Sequence, residues 1–146
     1  MAYANSTLVG SAVFAATVFV IILHLAEWLQ LRRLSKHLPD KAPSNGVALG
    51  LLTLKAGLGI EMVYYFLLLI TFTVFFSGNL LFLTLIAVLG VLHLTALQAL
   101  VDKKGRDFLQ TLTTRQVAGV ALFDAVELVI LIVLAMQFYP FFQLMI

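Results

Sequence analysis

Two pairs of ionisable residues stand at helical spacing inside segments that are otherwise apolar. His24 and Glu27 are three residues apart, as are Asp124 and Glu127, and in a helix each such pair shares one face. Glu61 and His93 stand alone in similar surroundings. Carboxylate and imidazole are suitable ligands for Fe, Mn and Zn, and inside membranes the same groups serve as proton carriers. The chemistry on offer is metal binding or proton transfer.

The elements that must position these residues follow from composition. Of 146 residues, 62% are hydrophobic and only 11% are charged, about half the charge of a soluble domain. Crossing a bilayer takes ~20 apolar residues, and four stretches reach that length: about 8–31, 56–76 (the apolar pattern resuming already at 47), 79–101 and 116–139. The expected fold is all-α, a four-transmembrane-helix up-down bundle, with residues 1–146 as one polytopic membrane domain. The absence of cysteine excludes disulfides, thiolate metal sites and thiol redox chemistry. The first ten residues lack a positive n-region, so the first helix is expected to stay as an anchor.

All nine Lys and Arg residues fall between helices 1 and 2 (Arg32, Arg33, Lys36, Lys41, Lys55) or between helices 3 and 4 (Lys103, Lys104, Arg106, Arg115). This asymmetry predicts both basic loops in the cytoplasm and both termini outside. The net charge of +2 then reflects topology, with the lipid bilayer as partner and no role for nucleic acid. Trp28 is placed to anchor the inner interface, and His37 is expected in the solvated basic loop. At the outer end Phe75, Phe76, Phe138, Tyr139, Phe141 and Phe142 form an aromatic belt. Pro140 is expected to close helix 4, and Ser77, Gly78 and Asn79 form a tight turn joining helices 2 and 3. Gly50, Ala56, Gly57 and Gly59 would let another helix approach helix 2 closely.

A faint repeat equates Leu23-His24-Leu25 with Leu92-His93-Leu94 and, at a slightly different offset, Glu61 with Glu127. Each helical hairpin then supplies one His and one Glu, which would make the bundle a pseudo-twofold pair of hairpins.

Counting from the nearest charged residue at the basic end, at ~1.5 Å per residue, places His24, Glu27, Glu61, His93, Asp124 and Glu127 ~8 to 18 Å deep. All six share one layer in the inner half of the bilayer and should face the bundle interior. A lone buried His or Glu is ordinarily a packing hydrogen bond, but six in one layer need more. Four ionised, unpaired acids would cost on the order of 10 kcal/mol. Protons, metal cations or the two imidazolium ions must offset that cost, and the imidazolium ions balance at most two carboxylates.

The favoured expectation is one or more divalent cations held by these six residues. Four carboxylates and two histidines are also the ligand inventory of ferritin-like di-iron and di-manganese bundles. Those use one Glu on each of two helices and Glu-x-x-His on the others, whereas here the order is His-x-x-Glu, Glu, His and Asp-x-x-Glu. Three alternatives stay open. His24 and His93, at nearly equal depth on diagonal helices, could hold haem b, although its propionates do nothing for the acids. The acids could carry protons or ions, an activity for which four helices would need a homodimer. The layer could also bind a larger membrane complex. Tyr64 and Tyr65, one turn from Glu61, are expected to pack. There is no phosphate loop, nucleophile elbow or zinc-protease motif to assign a reaction.

Overall fold

The computed structural model describes residues 2–37, 45–76, 80–101 and 114–146, with side chains over 6–30, 52–76, 80–101 and 119–146. Its elements are α1 (Ala2–His37), α2 (Asn45–Thr71) continued by a π-helical turn (Phe72–Phe76), α3 (Leu80–Val101) and α4 (Thr114–Gln143). Ser6–Gln30, Leu52–Phe76, Leu80–Val101 and Gly119–Gln143 are each long and apolar enough to cross a membrane. α1 packs antiparallel against α4 and α2 against α3, and α1 also lies on α2. The expected four-helix up-down bundle is what forms. The connections 38–44, 77–79 and 102–113, including the expected 77–79 turn, lie outside the described residues.

The buried side chains trace the seams between helices. On α1 they are Val13, Thr17, Val20, His24 and Glu27; on α4, Glu127, Leu131, Leu134 and Phe138. Steps of three and four residues keep one face of an α-helix turned to a neighbour crossing at a shallow angle. Each site residue therefore occupies a position that interhelical packing had already turned inward.

The apolar core fills the half of the bundle away from the basic ends, with Val20, Leu68, Ile86, Leu89, Leu131 and Leu134 at its centre. Phe72 and Phe76 lie on one face of the π turn with rings 5.5 Å apart, and both meet Phe138, at 5.5 and 5.2 Å. The sequence pattern had suggested an uninterrupted α-helix here. Part of the expected aromatic belt is thus a packed plug: Phe138 is buried, whereas Phe75 and Tyr139 are exposed.

Three sequence expectations need correction. Pro140 does not close α4, which continues to Gln143. Proline removes one backbone donor and crowds the preceding turn, but packing holds the next turn in place. Phe141 lies 6.0 Å from the Phe76 ring and 5.8 Å from Phe138, and the Ser11 hydroxyl reaches the Phe141 carbonyl at 2.9 Å, shared with Thr7 O. The backbone at Gly10 supplies the room, since a Cβ there would run into the Phe141 ring. His37 is the last residue of α1 rather than part of a loop, because Arg and Lys are good helix formers and the chain meets no proline before Pro39. Of the small residues on α2, Gly57 alone among those with described surroundings makes a close approach. Ala56 is exposed, and a Cβ at Gly59 would make only an ordinary contact with Leu97.

Candidate metal centre

Below the apolar core, one side chain from each helix converges: His24 from α1, Glu61 from α2, His93 from α3 and Glu127 from α4. Their exposures are 5%, 0%, 4% and 1%, so all four are buried. Glu61 is central. Its Oε1 lies 3.1 Å from His24 Nδ1 and its Oε2 3.0 Å from His93 Nε2. His93 Nε2 is also 3.3 Å from Glu127 Oε1, and Tyr65 donates its hydroxyl proton to that same Glu127 oxygen. The repeat equates His24 with His93 and Glu61 with Glu127, and within each hairpin the His and the Glu meet, His24 with Glu61 and His93 with Glu127.

Both imidazoles are oriented by backbone. His24 Nε2 lies 3.0 Å from the Asp124 carbonyl and His93 Nδ1 2.8 Å from the Leu89 carbonyl. A carbonyl has no proton to give, so each of these nitrogens carries the hydrogen. That leaves His24 Nδ1 and His93 Nε2, the two nitrogens that face Glu61. If both rings are neutral, lone pairs confront carboxylate oxygens at about 3 Å, and something positive must lie between them.

Glu27 and Asp124 sit one turn nearer the basic end. The sequence placed all six ionisable residues in one layer, whereas the fold resolves a quartet and, beneath it, two acids. Glu27 is 8% exposed and its Oε1 has no hydrogen-bond partner among the described residues. Its carboxylate lies over the bare Cα of Gly57, where a Cβ would overlap it. Asp124 is only partly buried. It joins His24 and Glu127 in a trio offering one ligand atom each, all within 4.8 Å of one another. Two ligands of one ion at ~2.1 Å can be no more than ~4.2 Å apart, so a cation would draw this trio slightly inward.

Oxygens of three carboxylates, Glu27 Oε1, Glu61 Oε2 and Glu127 Oε2, are buried without a hydrogen-bond partner. His93 Nε2 is close to Glu61 Oε2, but the contact has ion-pair distance without hydrogen-bond geometry. Buried acceptors left open in this way are costly, and they are the groups a cation or additional protons would satisfy.

The tyrosines divide in role. Thr17 donates to the Val13 carbonyl at 2.7 Å, so it accepts from the Tyr64 hydroxyl at 2.7 Å, a packing bond of the kind expected. Tyr65 belongs to the cluster instead, through Glu127 and a ring contact of 5.2 Å with His93. Its position four residues after Glu61 was visible in the sequence, but its direction across the bundle to α4 was not. The chain matches no family model, no curated protein and no solved structure.

Proposed function

We propose that the chain is an integral membrane protein that holds a divalent cation of the Fe, Mn or Zn class in its buried His/carboxylate cluster. His24, Asp124 and Glu127 supply the first ligands, with Glu61 and His93 within reach. The observation that carries this reading is the orientation of the two rings. Each has one nitrogen tied to a backbone carbonyl and the other turned to a shared carboxylate, the arrangement that fixes the tautomer of metal-binding histidines. Nitrogen–oxygen separations of 3.0 to 3.3 Å suit neighbouring ligands of one ion. A bound cation would also satisfy carboxylate oxygens that have no other partner. With iron or manganese this donor set suits oxidation chemistry in the membrane, and with zinc it suits transport or hydrolysis.

The sidedness follows from charge: the basic ends face the cytoplasm and both termini lie outside. Bis-His haem b is the weaker reading because Glu61 stands between the two imidazoles, where a porphyrin would have to lie. A second reading rests on the file Tyr65, Glu127, His93, Glu61, His24, in which successive polar atoms lie within 3.3 Å of each other. As two imidazolium ions and two carboxylates this file is electrically balanced and would pass protons without a metal.

Elemental analysis and an absorption spectrum of the detergent-purified protein separate these readings. Stoichiometric Fe, Mn or Zn without a Soret band is the expected result. A Soret band would transfer the histidines to haem. Neither signal, together with proton flux in proteoliposomes, would establish the relay in place of the metal centre.

A further inference from the structure

The quartet lies between two dissimilar ends. Toward the aromatic end, a cation leaving it would meet Val20, Leu68, Ile86, Leu89, Leu131 and Leu134, all at most 4% exposed. Beyond these lies the plug, where the Phe72 ring contacts Phe82 at 4.7 Å and Phe138 at 5.5 Å. The buried hydroxyls in those layers, Thr17 and Tyr64, bond to each other and to the Val13 carbonyl, and among the described residues no carboxylate or imidazole lies there; moving charge through such a region without charged ligands is prohibitive.

Toward the basic end the next layer is different. Glu27 lies three residues beyond His24 on the same face of α1, and Gly57 lies one turn before Glu61 on α2. The Glu27 carboxylate fills the space that a side chain at position 57 would take. Its Oε1 is buried and unpartnered, although an exposed position on this lipid-length helix would have let the carboxylate snorkel toward the headgroups. Across the bundle, the partly buried Asp124 stands one turn before Glu127.

We infer that Glu27, seated on Gly57, is a gateway carboxylate: a transient ligand through which a divalent cation passes between the basic end and the His24/Asp124/Glu127 centre, the aromatic end being closed. This rests on the metal reading and adds a route and a direction to it. Glu27 exchanges one or two water ligands of the incoming ion for carboxylate oxygen, and His24, one turn further in, is the next donor. Gly57 is the positioning residue, because it gives the carboxylate room to lie inward.

The test follows Mn²⁺ or Zn²⁺ uptake by the metal-free full-length protein in proteoliposomes of known orientation, and its release to a chelator. Wild type should load from the face that carries the basic loops and not from the other. Glu27→Gln keeps the shape of the side chain and should slow both loading and release about tenfold or more, a barrier change of ~1.4 kcal/mol or above. Equilibrium stoichiometry should stay unchanged and Kd should hold within about threefold. Gly57→Ala should show the same kinetic defect with the native carboxylate present.

Loading from the aromatic face, or wild-type rates in Glu27→Gln, would overturn the gateway while leaving the metal centre intact. Faster release with a weakened Kd would also overturn it, by making Glu27 a resident ligand. Wild-type protein that takes up neither metal would overturn the metal reading itself, and the gateway with it.

Discussion

His24 and Glu61, separated by 37 residues in sequence, face each other at 3.1 Å in the buried interior. The Asp124 carbonyl holds the other side of the imidazole, so the ring cannot turn away without leaving a buried acceptor open. Glu61 engages His93 with its second oxygen. The carboxylate thus touches both imidazoles.

Replacing Glu61 with Gln should therefore reduce bound metal to background in elemental analysis. It should also destabilise the protein by ~3–5 kcal/mol, the cost of leaving buried charge without its compensating partner, seen as a lower midpoint in detergent melts. His24→Ala and His93→Ala should lose metal as well. His37→Ala, at the end of α1, should change neither quantity. Glu61→Gln protein that keeps its metal would remove Glu61 from the centre.

Tyr65→Phe and Tyr64→Phe form a matched pair on adjacent positions. The first removes the hydroxyl that donates to Glu127 and should weaken metal affinity ~10–100-fold, as losing a partner of a ligand does. The second removes only the bond to Thr17 and should cost ~0.5–1.5 kcal/mol of stability with metal content unchanged. Equal effects on metal would place both tyrosines in packing roles.

Metal affinity should fall on acidification. Carboxylate and imidazole bind metal in their deprotonated forms, so uptake releases protons and competes with them. Titrations of the purified protein with Mn²⁺ or Zn²⁺ at stepped pH should show Kd rising as pH decreases. An affinity independent of pH would place binding on groups other than His24, Glu61, His93, Asp124 and Glu127.

Reporter fusions at the two termini should locate outside, and fusions near Lys41 and Lys104 in the cytoplasm, following the charge asymmetry. A terminus found inside would reverse the side from which the centre is loaded.

Much of this arrangement is legible in the sequence, and the remainder is obscured for a definable reason. Depth along a helix is a one-dimensional count, and it brought His24, Glu61, His93 and Glu127 to one level. Rotation about the helix axis is harder to read, because lipid and core are equally apolar and hydropathy does not mark the seam. Exposed Leu67 and buried Leu68 are the same residue type side by side. The separation of Glu27 and Asp124 from the quartet, the reach of Tyr65 to α4 and the seat of Glu27 on Gly57 all depend on that rotation. The continuation of α4 past Pro140 was hidden for another reason: local proline chemistry argues for a stop, and contacts with Ser11, Phe76 and Phe138 override it.

The quartet's off-centre depth has an electrical consequence. Glu61 lies six residues beyond Lys55, ~9 Å of helix, in a hydrocarbon layer about 30 Å thick. A divalent ion arriving from the basic end would cross about a third of the membrane potential, worth ~1.5 kcal/mol per 100 mV. Two protons leaving by the same route would carry the same charge over the same distance in the opposite direction, and the effect would vanish. The voltage dependence of loading is therefore a count of protons exchanged: steep if the carboxylates wait as anions, halved if one proton leaves, and flat if each cation replaces two.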